Sequence, residues 1–394
     1  MFSENLMQTY APSKLSFEKG SGTWLYTKSG EAYLDFASGI AVNILGHSHP
    51  HLVSEIQLQA SKLLHTSNLY NIEQQQRLAK RLCSLSFAEK VFFCNSGAEA
   101  NEGAIKVARR YMHSIGQPKR NVIICIEGCF HGRTLAMLAA TSKKENRVGF
   151  GPLPKGFRHV TFGDIDALEK NIDSNVAAII IEPVQGEGGV NSLPLNYLEQ
   201  IQNLANKNKF LVISDEVQTG MGRLGRMFGY QDTALKPDIM ALAKGLGGGV
   251  PLGAVLASQE VAKGMTPGSH GSTFGGNPLV MAAGNAVLDI ITEKDFMKKA
   301  QMKMEHLSKG LKILKKKFAS LIEEIRGEGF LRGLKVKFPV KDLVDSMNQR
   351  KILTVPAADN VLRLIPPLTV KINEINIVLY ELEFALKNLQ EKSK

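Results

Sequence analysis

The chain has 394 residues, 44% of them hydrophobic and 22% charged, with a formal net charge of +11. That length supports a large core and two domains, and the balance is that of a globular chain rather than a fibrous or disordered one. No apolar run reaches the ~20 residues that a membrane-spanning helix needs, no secretory signal opens the chain, and the basic excess is scattered without an RNP-like or zinc-finger pattern, so a cytoplasmic protein that binds neither membrane nor nucleic acid is expected.

From the N-terminus, TWLYTKSGEAYLDF (23–36) reads as a hairpin turning at Ser29-Gly30, a piece that needs something to pack on. His47, His49 and His51 alternate in GHSHPH; Pro50 and the lack of acidic or cysteine ligands nearby favour a polar turn over a metal site. Between about 90 and 260, six apolar runs alternate with loops and helical stretches: KVFFCN (90–95), NVIICIEG (121–128), AAIIIEP (177–183), FLVISDE (210–216), DIMALA (238–243) and PLGAVLA (251–257). Runs this apolar suit a sheet covered on both faces, and the alternation predicts a mostly parallel α/β domain. Cys83, Cys94, Cys125 and Cys129 form no C-x-x-C pair and read as free thiols. Gly220 to Gly225 matches G-x-G-x-x-G, but it lies well beyond its strand and no helix pattern follows, so a dinucleotide site is not favoured.

The C-terminal third changes character. Residues 278–318 read as largely helical after Asn277-Pro278, with Lys312 to Lys317 on a solvated face opposite Leu311, Leu314 and Phe318. A strand pattern follows over 327–338, a helix near 340–350, a short strand at ILTVPA, the segment NVLRLIPPL, and a last helix over 373–391. We therefore expect residues 56–275 to form the large domain and 276–394 a small α+β domain, with 1–55 packing against the small one.

In doubly wound sheets, ligands bind beyond the carboxyl ends of the strands. Lys244 follows DIMALA directly and precedes GLGGGVPLG, a glycine-rich surround that a flat ligand can approach closely; it is the candidate imine-forming lysine. Asp215 and Glu216 close FLVISDE, and an acid there needs a partner; a pyridinium N–H is one, and holding it protonated makes the ring an electron sink. Ser96 and Glu99 fit a capping box, which predicts a helix starting near Gly97 with N–H groups free for a phosphate. Phe130 can stack on a flat ring, and Arg133 can hold a carboxylate. Each feature alone also has an ordinary structural reading: a surface lysine, a paired acid, a capped helix, a core aromatic.

The motifs GHSHP (46–50), NSGAEANEGAIK (95–106), FHGRT (130–134), EPVQGEGG (182–189), DEVQTGMGR (215–223), AKGLGGGVPLGA (243–254), HGSTFGGNPL (270–279) and RLIPPL (363–368) occur in this order. Together they resemble the class III aminotransferases of pyridoxal-phosphate fold type I across nearly the whole chain. The resemblance implies a mostly parallel seven-stranded sheet covered by helices, a smaller α+β domain, and pyridoxal 5′-phosphate as cofactor. Lys244 would carry it, Asp215 would pair with the ring nitrogen, Val217 would pack under the ring, Gln218 would reach the ring hydroxyl and Phe130 would stack. Gly97 and Ala98 would bind the phosphate through backbone N–H groups. Thr273 would reach a phosphate in the neighbouring subunit, so the active site would be shared across a homodimer. Arg133 and Ser272 would contact substrate, and Arg363 would bind the α-carboxylate of glutamate or 2-oxoglutarate. Glu187 would mask Arg363 while an ω-amine donor is bound.

The resemblance also bears on the substrate. Relatives that use free ornithine carry a tyrosine where DFASGIAVN (35–43) has Gly39, which leaves room for an acylated α-amino group. N-acetylornithine is the donor expected, with N-succinylornithine, N-succinyl-diaminopimelate, ornithine and 4-aminobutyrate as alternatives. An isomerase or decarboxylase on the same fold is the rival of a different class.

Overall fold

The computed structural model describes residues 5–392. It opens with antiparallel strands β1 (Phe17–Ser21), β2 (Trp24–Thr27) and β3 (Ala32–Asp35). The expected turn lies between β2 and β3, where Gly30 takes φ +86°. Helices Pro50–Ala60 and Glu73–Leu85 lead to β4 (Lys90–Cys94), and the Gly97–Ser114 helix leads to β5 (Val122–Ile126). Then come β6 (Phe157–Val160), β7 (Val176–Ile181), the short pair β8 (Val184–Gln185) and β9 (Asn191–Ser192), β10 (Leu211–Asp215), β11 (Ile239–Leu242) and β12 (Gly253–Ala257).

Seven of these strands form one sheet in the order β4-β12-β11-β10-β7-β5-β6. β12 runs antiparallel to both neighbours, and the remaining pairs are parallel. The six apolar runs supply six strands. The seventh, β6, escapes the pattern because it is the edge strand: FRHV is only half-buried over its first three residues. Central β7 and β10 are buried along their whole length, as helices on both faces require.

The C-terminal third departs from the sequence reading in two places. The 278–318 stretch is two helices, Pro278–Ile291 and Phe296–Lys317, separated where Asp295 adopts φ +64°; aspartate tolerates this left-handed conformation better than most residues. The 327–338 strand pattern captures only the second arm of a hairpin, β14 (Leu331–Val336), and the last two residues of its first arm, β13 (Ile322–Glu328). Gly329 makes the turn at φ +54°, where a Cβ would meet the Arg223 carbonyl at 2.5 Å. Helix Val340–Gln349 follows, then β15 (Ile352–Leu353), β16 (Val355–Ala357) and β17 (Val361–Leu364), and helix Ile372–Lys392. β15 joins β3 in parallel, so the N-terminal sheet is completed by residues more than 300 positions away. β13, β14, β17 and β16 form a second four-stranded sheet.

Candidate active site

The carboxyl ends of β4, β5, β7, β10 and β11 surround a cavity of about 490 Å³. Alternation along β10 and its extension separates the two acids there. Asp215 lines the cavity, whereas Glu216 is buried elsewhere and accepts hydrogen bonds from Thr219 Oγ1 (2.5 Å) and the Gly229 and Tyr230 N–H groups (both 2.8 Å). Asp215 Oδ2 accepts from Asn101 Nδ2 and is bonded to His131 Nδ1, both at 2.7 Å, and Oδ1 accepts from the Val217 N–H at 3.0 Å.

His131 is fully buried, which alone would hold its ring neutral; Cys129 and Asp215 outweigh this and push its pKa up to about 10. Burial also raises the Cys129 thiol, keeping it uncharged near neutrality. With that thiol protonated, the Asp215 carboxylate is what favours the charged ring near neutrality, and the two side chains pair at 2.7 Å.

Lys244 sits directly beyond β11 at φ +42°, a left-handed conformation unusual for lysine. Burial depresses its pKa, opposed by Glu187 and by the more weakly felt Asp215 and Glu182. No hydrogen bond or ion pair engages its Nζ among the described residues. The amine is thus at least partly available as a nucleophile and base.

The Gly97–Ser114 helix begins where the capping pattern placed it. Ser96 Oγ accepts from the Glu99 N–H (3.2 Å), but Glu99 Oε2 reaches back one residue further than a capping box requires, to the Asn95 N–H (2.6 Å). The first-turn N–H groups of Gly97 and Ala98 have no intrahelical acceptor and lie at the cavity wall. Gly97 is needed for close packing, since a Cβ there would meet Val217 Cγ1 at 2.7 Å.

Phe130 and Arg133 come from the loop after β5, with the guanidinium 5.6 Å from the Phe130 ring centroid. The Phe130 N–H donates to Glu182 Oε2 at 2.9 Å. Gln218 Oε1 is buried without a partner, and Gly186 makes room for it: a Cβ there would lie 1.6 Å away.

Glu187 lines the cavity and is clamped by Arg363 in bidentate fashion, Nη1 to Oε1 at 2.5 Å and Nη2 to Oε2 at 3.2 Å. Arg363, on β17, is 2% exposed, and Pro356 O accepts its second bond from Nη2 (3.1 Å).

The cavity thus gathers Lys244, Asp215, Glu187, Gly97, Ala98, Phe130, Val217, Gln218 and Arg133, with Arg363 behind Glu187. Ser272 and Thr273 lie outside it, in a neighbouring cleft of about 380 Å³ that also contains Asn95. Asn95 Nδ2 donates to Ser272 Oγ at 3.2 Å, tying this loop to the cavity rim. Among the described residues, no cluster of metal-ligating side chains occurs. His47 and His51 instead bond Asp35 (2.8 Å) and Asp289 (3.0 Å).

Residues 7–386 match the family model described as aminotransferase class-III. The chain belongs to the class III aminotransferases. This aminotransferase is 51% identical over 387 residues to the acetylornithine aminotransferase of Agrobacterium fabrum, covering 98% of this chain and 97% of that one. It is 45% identical to the acetylornithine aminotransferase of Caldanaerobacter subterraneus, covering 98% of each. Among solved structures it resembles the N-acetylornithine aminotransferase of Stenotrophomonas maltophilia (TM-score 0.84, 34% identity, 97% of this chain and 98% of that one). It also resembles the ornithine aminotransferase of Toxoplasma gondii (TM-score 0.94, 30% identity, 98% and 94%).

A class III aminotransferase is a pyridoxal-phosphate enzyme, and the cavity fits that cofactor: an unengaged lysine amine, an acid for a ring nitrogen, free N–H groups at a helix start, and an unpartnered Gln218 oxygen. Sequence reasoning passed over Asn101, His131 and Glu182, which this aminotransferase places at the cavity wall. Glu182 stands at a strand end, so the rule that selected Asp215 would have found it too. His131 adjoins Phe130 in the same motif.

Proposed function

We propose that this aminotransferase moves the terminal amino group of N2-acetyl-L-ornithine to 2-oxoglutarate, giving N-acetyl-L-glutamate 5-semialdehyde and L-glutamate, a step of arginine biosynthesis. The observation that carries it is the Glu187–Arg363 clamp beside Lys244. A buried guanidinium that a mobile carboxylate can neutralise lets one cavity accept differently charged substrates. With the clamp closed, the ω-amine end of the donor meets one positive charge fewer. With Glu187 turned away, Arg363 is free to bind the α-carboxylate of glutamate or 2-oxoglutarate bidentately.

Pyridoxal phosphate, when bound, supplies an electron sink that stabilises the carbanion left by proton removal. The chain does the rest. Lys244 would hold the cofactor through its amine and, once freed, would move a proton as general base and general acid. Its burial favours the neutral amine that these roles need. Asp215, oriented by Asn101 and His131, would hold a proton on the ring nitrogen. Val217 and Phe130 would bracket the ring, Gln218 would take the ring hydroxyl, Gly97 and Ala98 N–H groups would hold the phosphate, and Arg133 would contact substrate, with Ser272 reaching it only from the neighbouring cleft. Gly39 is exposed and lies three residues before Val42, which lines the cavity; this supports room for an acyl group at that rim.

We also propose a homodimer in which Thr273 completes the partner's phosphate site. Its support is the exposure of Thr273 beside the apolar Phe274 (61% exposed), with Leu69 and Tyr70 (87% and 69%) on a segment that Asn68 ties to the Gly275 carbonyl. The proposed division is 1–55, 56–275 and 276–394; the β3–β15 pairing supports joining the first segment to the last.

The test is Glu187→Ala. The donor half-reaction should change while the 2-oxoglutarate half-reaction is largely kept. Equal effects on both halves would contradict the switch.

A further inference from the structure

The cavity wall carries three carboxyl groups. Two have cationic partners: Asp215 has His131 at 2.7 Å, and Glu187 has Arg363 at 2.5 Å. Glu182 has none among the described residues. It is 7% exposed, at the end of β7 between the loop bearing Phe130 and the β10 end bearing Asp215. Its Oε2 accepts the Phe130 N–H at 2.9 Å. Its other oxygen makes no hydrogen bond to protein among the described residues, and Glu182 lines the cavity.

An isolated buried carboxylate is costly and takes up a proton instead. The surroundings push the same way. Burial raises its pKa first, then the Asp215 charge; the Phe130 N–H and Lys244 oppose more weakly, and Glu187 raises it further. A protonated carboxyl keeps acceptor capacity and gains an O–H donor.

We propose that Glu182 is a further positioning residue for the transamination, a neutral carboxylic acid that fixes the Phe130 main chain through Oε2 and presents an O–H donor to an acceptor atom of the bound cofactor. The inference rests on the aminotransferase chemistry of this cavity. It also explains how a third acid is tolerated where dicarboxylate substrates bind. With Glu182 uncharged, the Asp215–His131 and Glu187–Arg363 pairs balance, and Lys244 and Arg133 leave the cavity without net negative charge.

The test compares the holoenzyme with E182Q and E182L. Gln reproduces the neutral acid's shape, its acceptor and its donor. The infrared difference spectrum of wild type minus E182Q, taken near neutral pH without substrate, should contain the carbonyl stretch of a protonated carboxylic acid. E182Q should keep both half-reaction rates within about threefold and leave the cofactor's absorbance maximum in place, because the hydrogen-bonding pattern is kept. E182L leaves the half-buried Phe130 N–H without its acceptor and should lose about 10- to 100-fold and shift that maximum. A carboxylate signature in place of the acid band overturns the proposal. So does an E182Q enzyme that is folded and cofactor-loaded but inactive, or an E182L enzyme with wild-type rates and spectrum. The infrared band needs no substrate, so an error in the assigned donor leaves it readable.

Discussion

Lys244 and Asp215 were legible because strand-end position and the surrounding family motifs agree on them. Asn101 and His131 were not: they meet Asp215 across 114 and 84 residues of sequence, and only the fold brings them there. Their pairing has a pH signature. The His131 pKa is raised above its ordinary 6.5 on folding, Cys129 and Asp215 outweighing burial, so its charge contributes stability that is fully present below pH about 6.5 and is lost as pH rises through the folded value. Urea unfolding of the cofactor-free protein should fall in midpoint across that window, and His131→Gln should flatten the fall. An equal slope in both proteins would remove the ion pair. Gly186→Ala makes a second residue-level prediction. The new methyl would occupy the Gln218 Oε1 position, 1.6 Å from it, so Gln218 must move; cofactor affinity should drop by about tenfold, the worth of one hydrogen bond to a charged group. Spectroscopic titration of the cofactor-free protein checks this.

Elements were read well where pattern and burial agree. Six of the seven sheet strands and the start of the Gly97 helix follow from apolar runs and a cap. β6 was missed because an edge strand need not be apolar, and most of β13 was missed because IEEIRGE is largely polar and only partly buried after Ile322. Asp295 breaks the long C-terminal helix through backbone conformation, which residue periodicity does not report. The Ser96 cap should matter beyond the helix it starts. Ser96→Ala removes the acceptor for the Glu99 N–H and should cost about 1 kcal/mol of stability. Because the same turn offers the phosphate-binding N–H groups, the variant should also release the cofactor more readily than a variant equally destabilised elsewhere. Thermal denaturation with and without added cofactor separates the two effects.

For the whole molecule, two features are outside the reach of pattern: which loops meet at the cavity, and what covers Thr273. If the proposed dimer is correct, sedimentation at micromolar concentration should give one species of twice the chain mass, and Thr273→Val should weaken cofactor retention without dissociating it. A monomer with full activity would contradict the shared site. The central claim is the half-reaction itself, and absorbance follows it directly. Purified protein loaded with pyridoxal phosphate should be yellow, should bleach on adding N-acetylornithine without a keto acid, and should recover its colour with 2-oxoglutarate. A band that N-acetylornithine leaves unchanged would contradict the assigned donor; no Lys244-dependent band, even with added cofactor, would contradict the account of the site.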